Sequence, residues 1–111
     1  MIRKPKGPTA KARAAKRRAN LKRMADAYAK VDARDGGLSR LSGQPGQCHH
    51  HIKGRVGALL YDTGNIVTLT NAEHDAIHAK TLRVTGNADE RLIFETRGTY
   101  GIWAECRDSL P

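Results

Sequence analysis

Cysteine is scarce in this chain: Cys48 and Cys106 are the only two among 111 residues. Two such thiols make no disulfide framework, so the default compartment is a reducing cytosol. Long apolar runs are missing too. No stretch approaches the roughly 20 residues that cross a bilayer. The basic N-terminus lacks the apolar segment of a signal peptide. The expectation is a cytoplasmic protein with no membrane partner. There is no internal repeat. The length suits one domain with one small core. Histidine is absent from most of the chain, and all five fall between His49 and His78.

Charge is present in quantity and unevenly placed. The formal net charge is +9, from 20 basic and 11 acidic residues. Residues 1–30 hold eleven Lys/Arg and a single acid, Asp26, for +10, which leaves −1 for residues 31–111. An arm of this kind suits a polyanion, because phosphates bound by Lys and Arg release condensed counterions. A solvated basic tail would have the same composition.

The pattern along the chain is one of mixed helix and strand. Residues 1–9 carry Pro5, Gly7 and Pro8 and read as disordered. Residues 10–33 are rich in Ala, Lys and Arg, all strong helix formers. Leu21, Met24, Ala25, Tyr28 and Val31 recur at helical spacing, so the second half of this helix has a face to bury. Its first half is basic on most sides. Gly36 and Gly37 end it, and residues 38–47 read as loop or short hairpin. Residues 48–52 and 56–61 look extended, Asp62-Thr63-Gly64 is a turn, and 65–69 is a β-branched strand. Thr70 with Glu73 three residues on is a capping box that opens a helix to about Lys80. Strands are then predicted over 82–85, 91–96 and 100–105, where Phe94 and Trp103 are expected to complete the core.

The chemistry concentrates in the segment CHHHIKGRVGALLYDTGNIVTLTNAEHDAIHAK, from Cys48 to Lys80. Imidazole is the commonest metal ligand and the one side chain that titrates near neutral pH. His74 and His78 are i and i+4, one turn apart on one helix face. A histidine tract by itself binds metal adventitiously. It explains neither Asn65 nor the capped His-x3-His helix.

In this order of residues, from about Val31 to Lys80, the chain resembles the HNH endonuclease family. The lead-in VDARDGGLSRLSG is similar to the family's basic–acidic–Gly–Gly run before the first catalytic strand. The spacing of Asn65 to His74 and His78 resembles that of the nuclease colicins. The pattern HHI-x-x-R, at His50, His51, Ile52 and Arg55, resembles small phage-encoded HNH proteins. The resemblance implies an α+β fold: a ββα-metal (His-Me finger) core over 31–81, a basic DNA-binding helix over 1–30 and a C-terminal β extension over 82–111.

It also implies roles. His51 would be the general base that deprotonates water. His50, His74 and His78 would hold one divalent ion, with Mg, Mn, Ni and Zn all open. Asn65 would hold the loop carrying the base, and Arg55 would clamp a phosphate oxygen. Arg13, Lys16, Arg17, Arg18, Lys22 and Arg23 would grip mainly double-stranded DNA through its phosphates. Counting back from Asn65 with colicin-like spacing instead selects His49 as ligand and His50 as base. The later pair is preferred here, because loop length varies freely whereas the residues beside the strand do not. Side chains alternate along a strand, so the choice decides which histidine faces the ion.

Many family members hold a structural zinc with two CxxC pairs. The corresponding positions here are Ser39, Ser42, Thr70 and Glu73, a poor set of zinc ligands. No structural zinc is expected. The leading expectation is a DNA-hydrolysing enzyme of phage or prophage type. The alternatives are a non-catalytic nucleic-acid-binding module that keeps its metal for structure and, third, a colicin-like toxin domain. The oligomeric state is open.

Overall fold

A computed structural model describes residue 7 and residues 9–108. The expected disorder at residues 1–9 therefore falls largely outside the described residues. The chain is a small α+β fold with two α-helices and two small antiparallel sheets. Among the described residues no helix is long and apolar enough to cross a membrane.

Helix α1 spans Ala10–Asp35. Thr9 caps its start by accepting a hydrogen bond from the Ala12 amide, and Gly36 ends it in the left-handed conformation, φ 65°. The helix thus runs through the boundary drawn at residue 30. Its two halves differ as their sequences do. Ala27 and Val31 are buried against Ile66, with Met24 and Tyr28 packed beside them. The preceding turns are almost entirely exposed.

Strands β1 (Cys48–His51) and β2 (Ile66–Leu69) form a two-stranded antiparallel sheet. All four residues of β2 are buried. Ile66 meets α1, while Val67 and Leu69 pack on the other side against Phe94, Leu92 and Val84. Helix α2 spans Asn71–His78, and its capping box is formed in full by Thr70 and Glu73. Strands β3 (Leu82–Gly86), β4 (Leu92–Arg97) and β5 (Trp103–Asp108) make the second sheet in sequential order.

Three expectations are corrected. Residues 56–61 are not extended: Gly57–Leu60 is a 3-10 turn. Gly54 and Gly57, both at positive φ, bend this segment away from a strand path. The last strand begins at Trp103 rather than at residue 100, because Thr99–Gly101 form a tight turn with Tyr100 at φ 64°. Finally, Phe94 is a fully buried core residue but Trp103 is not. The indole is half-buried at the sheet surface, with the Arg83 guanidinium 4.4 Å from its centroid.

Arg34 and Asp35 fasten α1 to the rest. Arg34 donates to Asp35, to the Thr63 carbonyl at 2.7 Å, to the Ile66 carbonyl at 2.7 Å and to Asp89 at 2.9 Å. The Asp35 carboxylate, with no exposed side-chain surface, also accepts from Arg40 at 3.0 Å and from the Thr68 amide at 3.2 Å. Burial works to raise the Asp35 pKa. The bonds from Arg34 and Thr68, with the charge of Arg34 and the Arg40 contact, outweigh it and set the carboxyl below its ordinary value.

A carboxyl depressed in the fold adds stability above its unfolded pKa of about 3.9, and that stability is lost as pH falls through the folded value. Asp35→Ala strands two partly buried guanidinium groups and is expected to cost about 3–5 kcal/mol. Urea unfolding of both proteins at neutral pH and in acid checks this: the gap should be large at pH 7 and shrink in acid. A variant as stable as the parent at pH 7 would contradict it.

Candidate active site

The register of β1 on β2 sorts the three consecutive histidines. The pairs are Cys48 with Leu69, His49 with Thr68, His50 with Val67 and His51 with Ile66. Ile66 faces α1, so His49 and His51 share that side. The His49 ring stacks on Tyr28 with centroids 4.1 Å apart, and His51 meets the same ring edge-on at 6.3 Å. Val67 faces the opposite way, and so does His50.

His50 therefore meets α2. Its ring centroid lies 5.3 Å from that of His74, and the His74 centroid lies 4.5 Å from that of His78. Three imidazoles are gathered in this way from two elements. His50 is pushed down to about pKa 4, by burial first and then by the neighbouring His74, His78 and His51. It is neutral at pH 7, the form that offers a lone pair to a metal.

The fit of this trio to an ion is partial. The donor type is right. Two imidazoles sharing an ion at about 2.0–2.1 Å hold their centroids on the order of 5 Å apart, close to the spacings seen. The rings, however, meet edge to face. Among the described residues no group of three His, Cys, Asp or Glu side chains stands ready to hold an ion.

His51 ends β1 and is 8% exposed. Its Nε2 lies 3.0 Å from the Leu60 carbonyl oxygen. A carbonyl only accepts, so Nε2 carries the proton and the lone pair sits on Nδ1. Burial lowers its pKa most. The Leu60 bond opposes this, and the charges of Arg55 and His49 add to the lowering. The ring is thus neutral near pH 7. It makes no ring contact with the His50–His74–His78 trio among the described residues.

His49, the alternative ligand, is committed elsewhere. Its Nε2 lies 2.7 Å from Asp32 Oδ1, so strand alternation and this bond both direct it away from the trio. Cys48 donates to the Leu69 carbonyl, a half-buried thiol raised in pKa chiefly by burial.

Asn65 is buried and ties both ends of the loop after β1. Its amide donates to the Gly54 and Leu59 carbonyls, each at 2.9 Å, and its oxygen accepts from the Lys53 amide at 2.7 Å. Its backbone carbonyl also accepts from the Ile52 amide. Arg55 projects from this loop and is exposed. It lines a cavity of about 300 Å³ together with Arg17, Leu21 and Tyr61. Lys16, Arg17, Arg18 and Lys22 are exposed on the free half of α1, as is Arg13. Arg23 lies over the Tyr61 ring at 4.1 Å.

Ser39, Ser42, Thr70 and Glu73 come together. Ser39 Oγ donates to Glu73 Oε1 at 2.5 Å, and the Thr70 amide donates to the same oxygen at 2.8 Å. Ser39 Oγ accepts from the Leu41 and Ser42 amides. Burial would raise the Glu73 pKa, but these donors, with the Ser42 hydroxyl, hold it below its ordinary value. A hydrogen-bonded clasp joins the loop at 39–42 to the start of α2. Arg34 and Asp35 are the residues whose importance the sequence concealed. Their adjacency to Gly36-Gly37 is visible as a motif, but the Thr63, Ile66 and Thr68 backbone groups they fasten lie more than 25 residues away.

Asn65→Ala removes three side-chain bonds and leaves their backbone partners unpaired, with an expected cost of about 2 kcal/mol or more. Cleavage by protease within residues 53–60 should accelerate before any other site. Uniform protection of that loop in the variant would show that Asn65 does not hold it.

Compared with family models, with curated proteins and with solved structures, the chain matches none.

Proposed function

We propose that this chain is a metal-dependent endodeoxyribonuclease of the HNH type, with β1, β2 and α2 as its ββα-metal core. The convergence of His50, His74 and His78, beside a loop held by Asn65, is the observation that carries this reading. Those three imidazoles are the ligand set, and Mg²⁺, Mn²⁺, Ni²⁺ and Zn²⁺ are the ions to try. A divalent ion bound there supplies Lewis acidity at a phosphate oxygen and steadies the leaving 3′ oxygen.

The remaining work falls to the chain's own residues. Neutral His51 accepts a proton at Nδ1 from the attacking water while Nε2 stays anchored on the Leu60 carbonyl. Asn65 fixes the loop from which Arg55 offers its planar fork to a phosphate. Arg13, Lys16, Arg17, Arg18, Lys22 and Arg23 on α1 bind the duplex through phosphates, which positions DNA without reading its sequence. The setting that suits such a protein is a bacterial cytoplasm during phage replication or packaging.

The burial of His51 favours a second reading, a DNA-binding module whose ion is structural. In that case chelation would melt the fold. In the first case it would stop turnover only.

A supercoiled-plasmid assay decides between them. The parent should nick plasmid after EDTA treatment and metal add-back, and His51→Ala should lose about 10²- to 10⁴-fold in rate. His74→Ala and His78→Ala should lose metal binding, and His49→Ala should keep it. Equal cutting by the parent and His51→Ala would assign the proton to another group. DNA binding without cutting under any ion would favour the module. Replacing Lys16, Arg17 and Arg18 with Ala should lower the slope of log K against log salt by about 0.9 for each lost phosphate contact.

A further inference from the structure

We propose that the cavity between His50 and β5 is a subsite for one unpaired nucleobase, seated against Trp103, with its phosphate held by Lys80. This rests on the nuclease reading and narrows its substrate to strands with an accessible, unstacked nucleotide.

The cavity has a volume of about 310 Å³ and opens beside the histidine trio, with His50 in its wall. Ile77, Leu82 and Val84 are its apolar lining. Trp103, Lys80 and Arg83 also line it, Arg83 being paired with Glu95 and Lys80 supplying the second cation. A lining that combines apolar side chains, one indole and a lysine matches a flat base joined to a phosphate. It suits a purely apolar ligand less well. A base inside a duplex is covered on both faces and cannot enter, so the occupant lies outside the stack.

Two features favour a site fixed in advance. Arg83 lies over the indole at 4.4 Å and is itself held by Glu95 through bonds of 2.9 and 3.2 Å. The ring is braced by that contact. Lys80 has φ 64°, a left-handed conformation that glycine adopts without cost at the end of a helix. A long cationic side chain stands there instead, two residues beyond His78, with no ion-pair partner among the described residues.

Stacking on one aromatic ring tolerates any base, so the subsite would select strandedness rather than sequence. The scissile phosphate would lie toward His50, and the seated base would belong to a neighbouring nucleotide.

Trp103 is the chain's single tryptophan, so its fluorescence reports this cavity alone. The metal-free full chain is titrated with a short oligothymidylate, with a blunt duplex and with inorganic phosphate, and anisotropy of labelled strands measures binding in parallel. The oligothymidylate should quench the indole saturably, the duplex far less and phosphate not at all. Trp103→Leu should weaken oligothymidylate binding roughly 5- to 100-fold, with Trp103→Phe restoring most of it. Lys80→Gly, which relieves the backbone and removes the charge, should weaken it several-fold while keeping the thermal midpoint. Bound oligothymidylate with no quenching, or unchanged affinity in folded Trp103→Leu, would overturn the subsite. The nuclease reading fails separately, by absence of plasmid cleavage, because the quenching needs neither metal nor turnover.

Discussion

The antiparallel register of β1 on β2 is the constraint on which the candidate site depends. Pairing His50 with Val67 and His51 with Ile66 assigns each histidine to a face. A slip of one residue would exchange those faces and carry His50 away from α2. Burial makes the slip costly. Val67 and Leu69 would leave the Phe94 cluster, and Ile66 would leave Val31. The chemistry of three adjacent imidazoles is thus fixed by hydrophobic burial on the opposing strand.

Two polar assemblies hold the elements around that sheet. Arg34 and Asp35 bind the end of α1 to β2 and to the segment near Asp89. Ser39 and Glu73 bind the loop before β1 to the start of α2. Each joins residues over 30 positions apart in sequence and so closes a long loop. Gly46 belongs to the same design, since any Cβ there would strike the Thr68 methyl group. The clasp at Ser39 and Glu73 uses a carboxylate that α2 already needs for its cap.

Much of this was legible in the sequence, and the limits have physical causes. Thr70 and Glu73 announced α2 because a capping box is local. Gly36 announced the end of α1 because only a residue free of a Cβ accepts φ 65° cheaply. His74 and His78 were placed on one face by helical spacing alone. The choice among His49, His50 and His51 could not be settled locally, because a strand's faces are named only by its partner's burial. The 3-10 turn at Gly57–Leu60 was missed because Val56, Leu59 and Leu60 mimic a strand while Gly54 and Gly57 set the backbone. Trp103 was read as core on size and apolarity. Its cation partner, Arg83, lies on another strand.

On the proposed reading His50, His74 and His78 form one ion site and His51 stays outside it. Anomalous diffraction from crystals grown with Ni²⁺ or Mn²⁺ tests it most directly. A single strong peak is expected about 2 Å from a nitrogen of each of those three rings, with His51 still bonded to the Leu60 carbonyl. A peak between His49 and Asp32, or one that takes His51 as a ligand, would contradict it.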